Sequence, residues 1–251
     1  MTAPVALITG ASAGLGVDFA RQLSADGARL VLVARRLDRL EALAAELGNA
    51  RAVALDLSQP GAAVRLLADL AAHGEHVDLL VNNAGFGAGG KVAELDVGRL
   101  RQMIDLNCGV LTELTRLALP GMVERGRGGI LNVASTAAFQ PGPGAAVYYA
   151  TKAYVLSFTE ALHEELAGTG VHVTALCPGP TATEFFDVAA YGQSSKLEKF
   201  AMASAPVVAA GLRGVSVNQP VVIPGAMNKV GAQGHRFLPR GILRKVAKLV
   251  H

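Results

Sequence analysis

Two side chains four residues apart define the first chemical possibility in this chain. Tyr148 and Lys152 stand in the segment Tyr148-Tyr149-Ala150-Thr151-Lys152, and that spacing stacks them on one face of a helix. A phenol near pKa 10 is a poor base at neutral pH, but an ammonium beside it favours phenolate. Bringing it to about 7 takes about three units, or ~4 kcal/mol, toward which a partly desolvated lysine contributes. Tyr149 competes for the role, but its own fourth residue onward is Ala153, so Tyr148 is the better candidate. A second possibility lies near the start. The run Gly10-Ala11-Ser12-Ala13-Gly14-Leu15-Gly16 follows one apolar segment and enters another of helical pattern. Glycines there let the backbone turn sharply against a ligand, and the helix start beyond offers N–H groups and partial positive charge to a pyrophosphate. The same residues spell G-x-S-x-G around Ser12, the nucleophile elbow of an α/β-hydrolase. Such an elbow normally follows several strands and precedes an acid and then a histidine. Here it follows the first strand, and no histidine clearly follows a late strand, although His235 lies beyond the last one. His163-Glu164-Glu165 opens like HExxH, but Ala167 stands where the second histidine would be, so no zinc site is expected.

These residues need a frame, and the hydrophobic pattern supplies one. Val5–Thr9, Arg29–Ala34, Ala52–Leu55, Leu79–Asn82, Ile130–Ala134, Val171–Cys177 and Val221–Ile223 read as buried strands. Between them, Val17–Ala25, Leu37–Leu47 and Tyr148–Ala167 carry apolar residues at helical spacing. Strands without polar alternation, separated by helices, imply a parallel sheet covered on both faces. The expectation is one α/β domain over residues 1–251, a Rossmann-type doubly wound sheet of seven strands. Residues 181–219 depart from the alternation, with a polar stretch Tyr191–Lys199 followed by an Ala-rich helix. This stretch reads as a lid inserted before the last strand, centred on about 183–204, rather than as a second domain.

The ordered set of motifs resembles the short-chain dehydrogenase/reductase family over roughly residues 4–225. The glycine turn has the family spacing TGxxxGxG. Asn82-Asn83-Ala84-Gly85 matches its NNAG stretch, Asn107 its helical asparagine, and Ser135 its serine closing the fifth strand. Tyr148 and Lys152 match its YxxxK, and Pro178-Gly179, with Thr183 beyond, its PG after the sixth strand. The resemblance implies an oxidoreductase that interconverts a ketone or aldehyde and an alcohol with a nicotinamide cofactor. It gives Tyr148 the proton, Ser135 the substrate oxygen, Lys152 a second contact with the nicotinamide ribose, and Asn107 a water in a proton relay through Lys152. It further implies cofactor contacts at Gly10, Ser12, Gly14, Leu15, Gly16, Asp56, Leu57, Asn83, Ala84, Gly85, Thr181 and Thr183, with Asp56 accepting from the adenine amine. A homodimer or homotetramer is expected on the same ground. The alternative is a non-catalytic member that binds the dinucleotide as a sensor or scaffold, against which the intact Ser135, Tyr148 and Lys152 argue.

Cofactor choice can be read one step further. An NAD site places an acid at the end of the second strand, about 20 residues past the glycine turn. Here that strand ends at Ala34 and Arg35-Arg36 follow. Guanidinium groups bind a 2′-phosphate with charge-assisted bonds, so NADP(H) is expected over NAD(H), with Arg35 as main contact and Arg36 on or near the adenine. Phe86, Phe139, Phe185, Phe186 and Tyr191 lie near these motifs or in the lid and are candidates to line an apolar substrate pocket.

Composition excludes other classes. Apolar residues make up 51% of the 251 and charged ones 17%, which rules out general disorder. No apolar run is long enough for a spanning helix, and the N-terminal run lacks the positive region of a signal peptide. Cys108 and Cys177 form no metal or disulfide framework, and read as core residues of a cytoplasmic protein. The net charge of +3 is uneven: residues 1–198 hold all 20 acids, while the rest hold eight Lys/Arg and none. The basic excess is confined to the last fifth and lacks any nucleic-acid-binding motif, so nucleic acid is not an expected partner. Ile242, Val246, Leu249 and Val250 alternate with Arg240, Arg244, Lys245 and Lys248 as a short cationic amphipathic helix within a basic tail at about 229–251. Packing on its own domain or on another subunit is the favoured reading of that tail, and contact with an anionic membrane the less favoured one.

Overall fold

A computed structural model of the chain describes residues 3–184, 201–234, 241, 242 and 244. Its strands are β1 (Val5–Thr9), β2 (Arg29–Ala34), β3 (Ala50–Ala54), β4 (Val77–Asn82), β5 (Gly128–Val133), β6 (Val171–Leu176) and β7 (Val221–Val222). They form one seven-stranded sheet in the order β3-β2-β1-β4-β5-β6-β7, with every pairing parallel. Three strands, β3, β4 and β5, each begin two residues earlier than hydrophobicity suggests. The Asp78 carboxylate accepts from the backbone N–H of Val5 at 3.0 Å, so an acid is accommodated at the sheet's end. Gly128 is kept small because a Cβ there would lie 2.6 Å from Met122 Cγ, and a glycine contributes nothing to an apolar pattern.

Helices α1 (Leu15–Ala25), α2 (Leu37–Leu47), α3 (Ala62–Ala72), α4 (Val97–Ile104), α5 (Leu111–Glu124), α6 (Ala146–Glu165), α7 (Ser204–Ser216) and α8 (Ala226–Gln233) flank the sheet. Strand alternation separates two apolar layers. Val5, Leu7, Val31 and Val33 point to one face, against Leu66 and Leu70 of α3, Leu114 and Met122 of α5, and Leu162 of α6. Ala6, Ile8, Leu30 and Leu32 point to the other, against Phe19 of α1, Leu40 and Leu43 of α2, and Val207 and Val208 of α7. The stretch 181–219, taken from sequence as a lid, is therefore divided. Its Ala-rich part is α7, a crossover helix with Val207, Val208 and Val215 buried, because its small residues let it lie close on the sheet. Residues 185–200 of the lid and most of the tail beyond 234 lie outside the described residues.

The functional consequence sits in the strand order. Connections from β1 pass to β2 on one side, whereas β4 and β5 lie on the other. The reversal leaves a crevice at the carboxyl ends of β1 and β4. Thr9 and Asn83 pin its floor. The Thr9 hydroxyl donates to the Val81 carbonyl (3.2 Å) and accepts from the N–H groups of Asn83 and Ala84 (both 3.0 Å). Asn83 Nδ2 returns bonds to the carbonyls of Thr9 and Gly10. Behind it, buried Asn82, Asn132, Thr115 and Thr159 tie β4 and β5 to α5 and α6.

Candidate active site

A cavity of about 850 Å³ opens in this crevice. Its glycine-turn wall is built from the chain's smallest residues for a steric reason. Gly10 has φ 68° and Gly14 φ 53°, values that favour glycine. A Cβ on Gly10 would stand 2.9 Å from Ala84 Cα, and one on Gly16 would collide with the Gly10 carbonyl. No side chain caps the start of α1, whose first residue, Leu15, lines the cavity with Gly14. This uncapped helix start suits an anionic ligand.

The opposite wall comes from α6. Its buried residues Tyr148, Thr151, Lys152, Val155, Leu156, Thr159 and Leu162 form a helical stripe, so Tyr148 and Lys152 are buried by the pattern that packs the helix. The Tyr148 hydroxyl is hydrogen-bonded to Ser135. Ser135 ends the segment after β5, and its Oγ also accepts from Ala137 N–H at 3.1 Å, capping the short turn Thr136–Phe139. Lys152 Nζ donates to the Val133 carbonyl at 2.7 Å and lies 5.9 Å from the Tyr148 ring centroid.

Burial governs the electrostatics of this pair. Burial pushes the Tyr148 phenol above its ordinary range, while the Ser135 bond pulls the other way and loses. Burial also lowers Lys152 to about 8. The protein alone therefore holds Tyr148 as a neutral acid instead of drawing it toward phenolate, because Lys152 shares the desolvation and spends its hydrogen bond on a carbonyl. Burial raises Cys108 to about 11 and Cys177 to about 12, so neither is a thiolate at neutral pH.

Asn107 stands behind the cavity wall. Helices α4 and α5 are continuous through a π-helical segment, Asp105–Val110, a local form frequent at functional sites. There the Asn107 Oδ1 accepts from Phe86 N–H (3.1 Å), and its Nδ2 donates to the Phe86 carbonyl (3.0 Å) and Thr151 Oγ1 (3.1 Å). Gly85 is small for the same reason, since a Cβ would sit 2.9 Å from Asn107 Oδ1 and 3.8 Å from Lys152 Nζ.

The motifs, their order and this geometry now meet the comparisons. The short chain dehydrogenase family model matches residues 4–192. The chain belongs to the short-chain dehydrogenase/reductase family. It is an oxidoreductase of that family, with the doubly wound sheet the motifs imply. It is 42% identical over 198 residues to the NADP-dependent 3-hydroxy acid dehydrogenase YdfG of Salmonella typhi, covering 78% of this chain and 80% of that one. A short-chain dehydrogenase from Sphingobium yanoikuyae in complex with NADPH superposes with a TM-score of 0.84 at 32% identity, over 96% and 95% of the two chains. A closed serine dehydrogenase complexed with NADP⁺ gives 0.77 at 39% identity, over 84% and 88%.

Of the site residues named from sequence, all line the cavity except Gly16, which shapes the turn, and Asn107, which braces the wall. Asp56 and Leu57 are there. Asp56 is only partly buried; that burial would raise its carboxyl, but bonds from Ser58 and Gln59 and nearby Arg35 hold it low. Arg35 lines the cavity, while Arg36 reaches Ser12 Oγ (3.2 Å) and Glu184 (3.2 Å). Phe86 and Phe139 are in the lining, and Phe185, Phe186 and Tyr191 lie outside the described residues. The sequence reading missed Arg99, Gln102, Gln140, Met227, Asn228 and Glu184. Asn228 follows β7 by a short turn, the one trace of it in the sequence; that it packs on Gly179 of the PG motif, where a Cβ would collide with it, shows only in the structure. Among the described residues there is no metal-binding cluster and no helix long and apolar enough to cross a membrane.

Proposed function

We propose that this enzyme interconverts a ketone or aldehyde and an alcohol using NADP(H) in preference to NAD(H). The observation that carries the reading is the hydrogen-bonded Ser135–Tyr148 pair on the wall of a cavity shared with the glycine turn, Lys152 and Arg35. The residues present fit the dinucleotide. The glycine-rich turn and uncapped α1 suit its pyrophosphate, Arg35 its 2′-phosphate, and Asp56 with Arg36 its adenine. When bound, the nicotinamide supplies or takes the hydride. Everything else falls to the chain. Tyr148, a neutral phenol at pH 7 fixed in place by burial, donates its proton to the carbonyl oxygen during reduction. Ser135 stabilises the charge growing on that oxygen. Lys152 holds the ribose and restores the proton to Tyr148, and Asn107 positions the loop at Phe86 and a relay water.

Phe86, Phe139 and Tyr149 make much of the wall near Tyr148 apolar, with Gln140 and Asn228 as polar exceptions. The 3-hydroxy acid and serine dehydrogenases among its relatives make short hydroxy acids the first substrates to try, beside apolar ketones. Exposed Leu117, Val123 and Tyr154 on α5 and α6 support a homo-oligomer built on those helices. The test is a panel of both substrate types with each cofactor, read by nicotinamide absorbance. Turnover with NADPH at least tenfold above NADH in kcat/KM is the expected result. Comparable values would refute the cofactor preference, and cofactor binding without turnover of any carbonyl would favour the sensor reading.

A further inference from the structure

Between the two halves of the crevice runs an ion-pair bridge that nothing in the catalytic reading uses. The loop that leaves β6 at Pro178-Gly179 crosses toward the glycine turn, where a Cβ on Gly14 would stand 3.0 Å from Thr183 Cβ. Glu184, the next residue, reaches the far side. Its carboxylate accepts from Arg39 Nη1 at 2.7 Å and from Arg36 Nη1 at 3.2 Å. Arg36 is held further by Ser12, through Nε and Nη2 on the hydroxyl and Nη2 on the carbonyl. Glu184, Arg35 and Arg36 line the cavity, so this carboxylate holds Arg36 directly beside Arg35, the cation expected to be the main contact of a 2′-phosphate.

We propose that Glu184 is a cofactor-selectivity residue: its carboxylate occupies Arg36 and Arg39 in the free enzyme and competes with the 2′-phosphate for them. The inference rests on the NADP(H) reading above. The partners are 42–48% exposed, and ion pairs that open to water are weak enough to exchange. A phosphate monoester brings more negative charge and more acceptor oxygens than a carboxylate, so it takes the guanidinium groups over. A ribose without that phosphate makes no claim on them, and the Glu184 bridge persists. Glu184 therefore opposes binding of 2′-phosphorylated ligands alone.

The experiment is equilibrium titration of wild type and Glu184→Gln with adenosine 2′,5′-bisphosphate and, separately, adenosine 5′-monophosphate, by calorimetry. These probes differ by the 2′-phosphate and require no turnover. The variant is expected to bind the bisphosphate about three- to tenfold more tightly, the worth of two exposed ion pairs, and the monophosphate unchanged. Equal shifts for both probes, no shift for either, or weaker bisphosphate binding would each overturn the proposal, the last by making Glu184 an organiser of the arginines. Wild type with no preference for the bisphosphate would refute the NADP(H) reading instead, and the ratio between variant and wild type still decides the role of Glu184.

Discussion

Lys152→Met should make the protein more stable at neutral pH while stopping its chemistry, and the gain should vanish at alkaline pH. Burial lowers the Lys152 ammonium from its ordinary 10.5 to about 8. Between those values the unfolded chain binds a proton that the folded chain does not, so this residue makes stability rise with pH from about 8 to 10.5. Below about 8 both states carry the charge, and the folded state bears the full penalty. The shift of about 2.5 units corresponds to about 3 kcal/mol. Methionine has similar length and no charge, so the variant escapes the penalty but loses the bond to the Val133 carbonyl, roughly 1 kcal/mol. The net expectation is a gain of about 2 kcal/mol at pH 7, several degrees in Tm for a chain of this size. The stability difference between variant and wild type should fall by about 3 kcal/mol between pH 7.5 and 10.5. Urea unfolding of both proteins across that range measures it. A difference that stays flat with pH would refute the reasoning.

Tyr148→Phe should fold and bind NADPH like wild type, by fluorescence titration, yet lose 10²–10⁴-fold in kcat; retention of more than about a tenth of kcat would remove Tyr148 as the proton donor. Ser135→Ala should cost about 10²-fold in kcat with little change in cofactor affinity, a split that steady-state and binding measurements resolve. Asn107→Leu leaves the N–H and C=O of Phe86 without their partner, so unfolding should show a loss of about 2–4 kcal/mol; a stability within 0.5 kcal/mol of wild type would mean that the π-helical segment is held by something else.

The parts legible in the sequence are those whose physical cause is local. Buried parallel strands announce themselves as apolar runs, and β1 and β2 begin and end where the pattern does. Gly10 and Gly14 show through their residue type, because few other residues tolerate those backbone angles. Tyr148 and Lys152 show through helical spacing. What escaped depends on distant pieces of chain. Sequence shows an Ala-rich helix near Ser204–Ser216 but not that it belongs to the core, since small residues suit a lid equally well, and only the packing surface offered by α1 and β6 decides it. Glu184 and Arg39 are 145 residues apart, and each alone is an ordinary surface charge. Spacing likewise places a cation near the Tyr148 phenol but does not reveal the burial that pushes the phenol up.

That burial explains how the site is built. A tyrosine left in water would be an equally neutral acid at pH 7, so burial does not create the acid; it fixes the place where the proton is delivered. The stripe that buries Tyr148 continues through Val155, Thr159 and Leu162 into the core, and Ser135 reaches the same point from the end of β5. Two hydroxyls are thereby brought together from the chain's longest described helix and a central strand. The sheet order sets the glycine turn across the crevice from them, with Asn83 joining its floor to β1. Moving any of these elements by one residue of register would turn its functional side chain away from the cavity. The apolar layers that stabilise the fold are thus also what aligns the acid, and the charge penalty on Lys152 is the stability given up to keep an amine in that alignment.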